Sequence, residues 1–219
     1  MLLPLKAALA MTVALAVGAD TKKVCRNATG VDQGYFYTFW HDSGDTCITL
    51  GRDGAYRLDW QLGTRGNLVA GRGWAKGSPD RTVRYTARAF EPGANGYLTL
   101  YGWSTAPLVE YYVVDDWGDF TPPGPGAVVL GTVASDGGVY RIYRTQRVNQ
   151  PSIAGTATFY QYWSVRTAKR TRSGTRAISF ANHVAAWRTH GLRLGKMDYQ
   201  VLATEGFGST GRSDISVAD

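Results

Sequence analysis

Two glutamates are the residues of this sequence best suited to acid–base chemistry. Glu110 lies within the apolar and aromatic segment 107–114 (PLVEYYVV), and Glu205 lies within the segment 198–207 (DYQVLATEGF). A bare carboxylate is costly to bury among such side chains. Two carboxylates in a cleft lined by tyrosine and tryptophan are what glycoside hydrolysis requires, one as nucleophile or base and the other as acid. The alternative is that each glutamate forms a buried salt bridge with an arginine, and the pattern alone favours neither interpretation.

Alternating side chains predict that both glutamates lie on β-strands. The segments 97–103, 108–114 and 198–207 each alternate with a period of two residues. One face of the first segment carries Tyr97, Thr99, Tyr101 and Trp103, while Leu98, Leu100 and Gly102 form the other. The faces that carry the two glutamates also carry Leu108, Tyr112 and Val114 in the second segment and Tyr199, Val201, Ala203 and Phe207 in the third.

The composition favours an all-β domain with many turns. The 219 residues include 27 glycines and 8 prolines, but only three glutamates and six lysines, which argues against coiled coils and helical bundles. A hydrophobic content of 44% excludes disorder. One helix is predicted over 183–190, with Gly191 as its stop. Many short strands and one helix predict a β-sandwich or jelly roll in a single domain.

The first 19 residues are typical of a secretory signal peptide. Lys6 precedes an apolar run over 7–17, and small residues up to Ala19 supply a cleavage site. An uncleaved membrane anchor is the alternative interpretation. Cleavage leaves no segment apolar enough to cross a membrane, so we expect a secreted, extracellular protein. The predicted organisation is a signal peptide over 1–19, an N-terminal extension over 20–30 and one domain over 31–217.

The cysteines and histidines predict no metal site. Cys25 and Cys47 are the two cysteines, and in an oxidising compartment they form either one disulfide or two separate buried thiols. Two cysteines and three scattered histidines lack the spacing of metal ligands. We expect His41, His183 and His190 to be structural or exposed.

Two clusters of charge have simple structural interpretations. The net charge is +7, and the densest basic run comprises Lys169, Arg170 and Arg172, with Arg176 nearby. We expect a solvated loop there and no nucleic-acid partner. Asp115 and Asp116 follow the Glu110 segment and are predicted to stabilise a loop rather than to supply a third catalytic carboxylate. A monomer is the default expectation.

Several ordered motifs resemble those of one enzyme family. The segments 107–114 and 203–207 (ATEGF) resemble the two catalytic strands of family 11 glycoside hydrolases, the β-jelly-roll endo-β-1,4-xylanases. The segment 147–153 (RVNQPSI) resembles the family's thumb loop. Further matches follow in the family order at 71–74 (GRGW), 97–103 (YLTLYGW), 135–138 (SDGG), 159–166 (FYQYWSVR) and 182–187 (NHVAAW). The resemblance covers about residues 35–217, nearly all of the mature chain.

The resemblance implies a fold and a mechanism. The fold is a jelly roll of two strongly curved antiparallel sheets with a single α-helix and an open cleft on the concave face. Glu110 matches the nucleophile of a retaining double displacement, and Glu205 matches the acid/base. Retention predicts carboxyl groups about 5–5.5 Å apart. The negative charge of Glu110 should then raise the pKa of Glu205 and keep the acid protonated.

The resemblance also implies the substrate-binding residues. Those that match the family are Tyr101 and Tyr112 beside the nucleophile, Arg147 and Gln161 as polar partners of the sugar, Trp40 and Tyr199 as cleft aromatics, Pro151 and Ile153 at the thumb tip, and Asn67 beside the acid/base. Asn67 predicts best activity near neutral or mildly acidic pH. Phe207 departs from the family, which usually has tyrosine there, and so removes one hydroxyl contact.

The implied activity is hydrolysis of internal β-1,4 linkages in xylan, without a cofactor. The alternatives are a non-catalytic carbohydrate-binding jelly roll and a β-1,4-glucanase on a related jelly roll. A binding module does not need two opposed glutamates, and the thumb motif favours xylose, which lacks the hydroxymethyl group of glucose.

Overall fold

Strands account for most of the chain. The computed structural model describes residues 21–170 and 174–218. Its one helix within these ranges is α1 (Phe180–Thr189). The strands are β1 (Lys22–Val24), β2 (Ala28–Asp32), β3 (Tyr35–His41), β4 (Asp45–Leu50), β5 (Ala55–Gln61), β6 (Asn67–Trp74), β7 (Thr82–Glu91), β8 (Gly96–Thr105), β9 (Val109–Trp117), β10 (Val129–Ser135), β11 (Gly138–Ser152), β12 (Gly155–Arg166), β13 (Gly174–Ser179), β14 (Lys196–Phe207) and β15 (Thr210–Ala218).

The strands form the two sheets of a jelly roll, as the sequence predicts. One sheet has nine strands in the order β10-β11-β12-β9-β8-β14-β6-β3-β2, and the other has six in the order β1-β4-β5-β15-β7-β13. One detail differs from the prediction of antiparallel sheets, because β12 and β9 pair in parallel. After β9 the chain crosses to β10 at the edge of the sheet. It then returns through β11 and β12, each antiparallel to the strand before it, so β12 runs in the same direction as β9.

The nine-stranded sheet buries different side chains on its two faces. The face towards the six-stranded sheet supplies core residues that include Leu98, Leu100, Val109, Tyr111, Val113 and Leu202. The opposite face supplies a separate cluster that includes Tyr97, Tyr101, Trp103, Tyr112, Trp163, Val201 and Ala203. The alternation read from the sequence is therefore confirmed on β8, β9 and β14. The second cluster forms the floor of the candidate site.

The helix begins three residues earlier than predicted. Phe180 is fully buried and lies one turn before Val184, so it belongs to the apolar stripe of α1. The backbone N–H of Ser179 donates to Asp136 (2.8 Å), which fixes the residue before the helix. Gly191 has a positive φ of 74° and follows the helix end, as predicted. Within the described ranges, no helix is long and apolar enough to span a membrane.

The segment predicted as an N-terminal extension contributes to both sheets. β1 pairs with β4 in the six-stranded sheet, and β2 pairs with β3 at the edge of the nine-stranded sheet. Cys25 lies between these two strands and forms a disulfide bond with Cys47 on β4. The predicted signal peptide at 1–19 lies outside the described residues.

The interpretation of the basic run as a solvated loop is wrong for two of its arginines. Arg170 Nε lies 2.6 Å from a carboxylate oxygen of Asp115, and the side chain of Arg176 is only 5% exposed and lies 3.9 Å from Asp116. Both aspartates lie within β9 rather than in a loop, and both are buried. The run therefore supplies counter-charges to buried carboxylates, a role that is invisible in the sequence because Arg170 is 55 residues from Asp115. Arg172 lies outside the described residues.

Candidate active site

The two glutamates lie on the strands that flank β8. Glu110 on β9 pairs in register with Trp103, and Glu205 on β14 pairs with Tyr97. Both carboxyl groups project from the outer face of the nine-stranded sheet, on the side opposite the six-stranded sheet. Their residues are nevertheless 7% and 8% exposed, because the aromatic side chains of the same face surround them. Two carboxyls thus share one buried, aromatic site.

Glu110 is held by neutral hydrogen-bond donors. The hydroxyl of Tyr101 donates to Oε1 (2.7 Å), and Nε2 of Gln161 donates to Oε2 (2.7 Å). Nε2 of Gln161 also lies 3.5 Å from the hydroxyl of Tyr112. Burial raises the pKa of Glu110, while these hydrogen bonds and the charge of Arg147 oppose the rise. Donors on both oxygens therefore favour the ionised form.

Glu205 has fewer partners and a different proton affinity. Its Oε2 is buried and accepts no hydrogen bond from any described residue. Burial and then the charge of Glu110 raise the pKa of Glu205 to about 8, against smaller opposing effects of Tyr97 and Arg147. The direction agrees with the expectation from the sequence, although burial is the larger cause. Near neutral pH, Glu205 keeps its proton while Glu110 is the more readily ionised of the two.

The salt-bridge alternative does not hold for either glutamate. The ion pairs found within 21–170 and 174–218 involve Asp32, Asp115, Asp116 and Asp214, but neither Glu110 nor Glu205. Over the same residues, no group of three or more histidine, cysteine, aspartate or glutamate side chains is arranged to hold a metal ion. Neither glutamate therefore has a salt-bridge partner among the described residues.

Aromatic rings pack around the glutamates. Tyr112 stacks on Trp163 with ring centroids 3.8 Å apart and an interplanar angle of 6°. Tyr101 lies 5.2 Å from Tyr112 and 6.1 Å from Tyr199 by the same measure. Of the predicted substrate-binding residues, the structure brings Tyr101, Tyr112 and Gln161 directly to Glu110, with Tyr199 beside them.

The remaining predicted residues lie at increasing distance from the glutamates. Val69 on β6 pairs with Glu205 on one side and with Trp40 of β3 on the other, which places Trp40 two strands from Glu205. Asn67 pairs with Phe207 and shares a strand face with Val69, and its Oδ1 accepts a hydrogen bond from the N–H of Leu68. Trp40 and Asn67 are thus on the side of the site that belongs to Glu205.

The predicted thumb is the hairpin of β11 and β12. Pro151 pairs with Thr156 near its end, and Ile153 is 38% exposed in the turn. Arg147 precedes a break in the pairing of these strands, is exposed, and donates from Nη2 to Oε1 of Gln150 (3.2 Å). The charge of Arg147 acts on both glutamates, so the base of the hairpin is close to the site.

Four residues of the site were not among the predicted site residues. Trp103 donates to the Tyr101 hydroxyl, Thr145 donates to Oε1 of Gln161, and Trp163 donates to Thr145. Tyr97 pairs with Glu205. The period-two pattern of β8 already places Tyr97 and Trp103 on the face of Tyr101, and it could have identified them. Thr145 and Trp163 required the pairing of β12 with β9 and β11, which no local pattern gives.

The sequence matches a family model over nearly all of the described domain. Residues 32–216 match the model described as "Glycosyl hydrolases family 11". The chain belongs to this family. It is therefore a glycoside hydrolase of the jelly-roll xylanase family, and the resemblance seen in its motifs is confirmed.

Similar proteins carry names that agree with this assignment. The chain is 52% identical over 192 residues to an "Ethylene-inducing xylanase 1" of Botryotinia fuckeliana, covering 87% of this chain and 66% of that protein. It is 50% identical over 194 residues to an "Endo-1,4-beta-xylanase 11A" of the same species, covering 88% and 82%. An "Ethylene-inducing xylanase" of Penicillium digitatum is 45% identical over 215 residues, covering 97% and 96%.

Proposed function

We propose that this family 11 member is a secreted endo-1,4-β-xylanase that cleaves internal β-1,4-xylosidic linkages of xylan with retention of configuration. The observation that carries the proposal is the pair of buried carboxyls with unequal environments. Glu110 receives hydrogen bonds on both oxygens, whereas one oxygen of Glu205 accepts none from the described residues and its pKa is raised to about 8. A retaining glycosidase needs one ionised and one protonated carboxyl.

In the first step, Glu110 attacks the anomeric carbon of the bound sugar. A glutamyl ester forms as the bond from that carbon to the leaving oxygen breaks, and Glu205 donates its proton to the leaving oxygen. Tyr101 and Gln161 hold the attacking carboxylate in place. Because no strong cation pairs with Glu110 within the described residues, its electron pairs remain available to the sugar.

In the second step, Glu205 acts as the base. The ester at Glu110 carries no negative charge, so the charge that helped to raise the pKa of Glu205 disappears and that pKa falls. Glu205 then takes a proton from the attacking water, the ester bond breaks, and Glu110 returns as a carboxylate. Two displacements at one carbon restore the original configuration.

The surrounding residues are proposed to bind the chain of sugars. Tyr101 and Tyr112 contact the sugar at the nucleophile, with Tyr199 beside them, and Arg147 and Gln161 supply polar contacts. Trp40 provides a stacking surface on the Glu205 side, where Asn67 adjoins the acid/base. Pro151 and Ile153 close the hairpin tip over the substrate. Similar proteins named xylanases support xylan as the substrate.

Secretion and a monomeric state are part of the proposal. The disulfide between Cys25 and Cys47 supports an oxidising compartment. Mass spectrometry of the exported protein tests whether the chain is cleaved after Ala19. An exported protein that still carries residues 1–19 contradicts the predicted cleavage. The molar mass from light scattering tests the monomeric state, and the mass of two or more chains contradicts it.

Release of reducing sugar tests the activity. Glucuronoxylan and carboxymethylcellulose are compared with the wild type and with Glu110→Ala. Release from xylan alone that disappears in the variant supports both the substrate and the nucleophile, and release from cellulose instead moves the substrate to β-1,4-glucan. Proton NMR of the first product gives the anomeric configuration, and an inverted product contradicts the mechanism. Binding to xylan without hydrolysis at any pH indicates a carbohydrate-binding module.

A further inference from the structure

Four buried tryptophans of the described chain donate their indole N–H to hydroxyl oxygens, and two of these bonds lead to Glu110. Trp103 donates to the hydroxyl of Tyr101 (2.8 Å), and Trp163 donates to Oγ1 of Thr145 (2.9 Å). Trp60 and Trp187 make the same kind of bond to Ser209 (3.2 Å) and Ser164 (3.0 Å), and neither of these hydroxyls is bonded to a glutamate. The second pair provides an internal comparison for the first.

Each of the first two bonds continues to one oxygen of Glu110. The Tyr101 hydroxyl, which accepts from Trp103, donates to Oε1. The Thr145 hydroxyl, which accepts from Trp163, donates to Oε1 of Gln161 (2.9 Å), and Nε2 of Gln161 donates to Oε2 of the glutamate. One chain has two hydrogen bonds and the other has three, and they end on different oxygens.

The direction of both chains is fixed by their ends. An indole nitrogen donates and cannot accept, whereas an ionised carboxylate accepts and cannot donate. Every hydrogen in each chain therefore points towards Glu110. This direction also fixes the amide of Gln161, because its carbonyl oxygen must face Thr145 and its NH₂ must face the carboxylate.

Protonation of Glu110 conflicts with this arrangement. If Oε1 carried a hydrogen and donated it to Tyr101, the tyrosine hydroxyl would have to turn its own hydrogen from Glu110 towards the hydroxyl of Tyr199, because the indole of Trp103 cannot accept it. The same conflict arises at Oε2 through Gln161, Thr145 and Trp163. Unsatisfied buried donors are costly, so the chains disfavour the protonated acid.

We propose that Trp103 and Trp163, with Thr145 as a relay, are positioning residues that hold Glu110 as an ionised carboxylate with both oxygens aligned. The inference rests on the proposed role of Glu110 as nucleophile. It adds that the state of this carboxylate is set two and three hydrogen bonds away, by residues that do not touch its oxygens. Burial alone would raise the pKa of Glu110, and the donors that the chains align oppose that rise.

Other charged and titratable groups around Glu110 must stay unchanged in the test. They are Tyr97 and Tyr101 on β8, Tyr112 on β9, Arg147 on β11, and Tyr199 and Glu205 on β14. Thr145→Val suits this requirement because it removes one hydroxyl at nearly constant volume. Thr145→Ser keeps the hydroxyl and is the rescue variant. Trp103→Phe and Trp163→Phe remove the first donors, and Trp187→Phe is the matched control because it removes a buried indole bonded to a serine hydroxyl elsewhere.

The pH dependence of kcat/KM on xylan is the first readout. We expect Thr145→Val, Trp103→Phe and Trp163→Phe to move the acidic limb upward by about 0.5–1 pH unit, since that limb reports the ionisation of the free enzyme's base. Thr145→Ser and Trp187→Phe should keep the wild-type limb. A Thr145→Val profile that superimposes on the wild type overturns the proposal.

NMR of the indole ¹⁵N–¹H signals of the wild type is the second readout and needs no variant to fold. The signals of Trp103 and Trp163 should shift with pH at the midpoint of the acidic limb, and the Trp187 signal should not. Titration of the two signals that persists in Glu110→Gln shows that another group is responsible and overturns the relay. Hydrolysis that survives in Glu110→Gln refutes the proposed function separately, whatever the indoles do.

Discussion

Two buried carboxylates on one strand have opposite surroundings. Glu110 and Asp115 both lie on β9, and each accepts hydrogen bonds from tyrosine. Asp115 also has two arginines, with Arg166 Nη1 at 3.5 Å and Arg170 Nε at 2.6 Å. Glu110 instead receives the neutral amide of Gln161. The aspartate is paired with cations, whereas the described residues that donate hydrogen bonds to the glutamate are neutral.

An irregularity in β9 separates the two environments. Thr99 pairs with Val114 and Leu98 pairs with Asp116, so Asp115 is an extra residue in the ladder. Such a bulge turns side chains away from their regular alternation. Asp115 thereby reaches Tyr85 on β7 of the other sheet, and Asp116 approaches Arg176 on β13. Glu110, before the bulge, stays on the aromatic face.

The difference shows how one strand can hold a structural and a reactive carboxylate. Paired guanidinium groups neutralise Asp115 and occupy its lone pairs, so its contribution is to link β9 with β11, β7 and the segment after β12. Dipolar donors orient Glu110 without neutralising it, which leaves a nucleophile. Substitutions of the two should therefore separate activity from stability.

The largest expected effect is the loss of activity in Glu110→Gln. The amide cannot attack the anomeric carbon, so kcat should fall by about 10⁴-fold or more. No cation contacts the Glu110 carboxylate within the described residues, so the cost in the free energy of unfolding should be limited to about 1–3 kcal/mol, from the one buried donor of Tyr101 or Gln161 that then faces the glutamine NH₂. Activity on xylan and calorimetry on the same sample test this prediction. A variant that is mostly unfolded but whose folded fraction is still active would show that Glu110, like Asp115, serves mainly stability.

Glu205→Gln should lower activity and raise stability. Loss of the general acid should reduce kcat by about 10²–10⁴-fold. The folded-state pKa of Glu205 is raised to about 8, above its unfolded value, so the wild type loses stability as pH rises from about 4.5 through 8 and the glutamate ionises. The glutamine avoids this loss. Melting temperatures of the two proteins should diverge as pH rises over that range, and curves that stay parallel would contradict the raised pKa.

Asp115→Asn should show the reverse pattern to Glu110→Gln. Removing the charge leaves Arg166 and Arg170 without their buried partner, at a cost of about 3–5 kcal/mol in the free energy of unfolding. Urea denaturation measures that cost, and kcat at 25 °C should change by less than about twofold. Asp59→Asn, at an exposed position on β5, is the matched control and should cost less than about 0.5 kcal/mol.

The smallest expected effects come from the same substitution on each side of the comparison. Tyr101→Phe removes the donor to Glu110, and Tyr140→Phe removes the 2.6 Å donor to Asp115. A hydrogen bond to a charged group is worth about 1.5–3 kcal/mol. Both substitutions should therefore lower stability, but Tyr101→Phe should also lose about 10–100-fold in kcat/KM, whereas Tyr140→Phe should leave kcat/KM nearly unchanged. Equal effects of both substitutions on both measurements would contradict the separation.

Much of the candidate site could be predicted from local patterns. The period-two alternation places Glu110 with Tyr112 and places Tyr101 with Trp103, because a pleated strand sends every second side chain to the same face. The same reasoning fails at Asp115, where the bulge breaks the alternation. It also gives no sign that Arg170 and Arg176 are buried, since a basic run in a Ser/Gly/Thr-rich segment has the composition of a solvated loop. The start of α1 was misplaced because the bond from Ser179 to Asp136 joins residues far apart in the chain.

The sequence by itself determined the family, the jelly-roll class and the two glutamates, because motifs and alternation are properties of neighbouring residues. The tertiary structure decided what each carboxyl experiences. Burial and the charge of Glu110 act on Glu205 across a strand, and the donors that reach Glu110 come from β8 and β12. Hydrogen bonds and desolvation depend on which side chains meet in space, so the protonation of an acid is fixed only when distant strands pair in register.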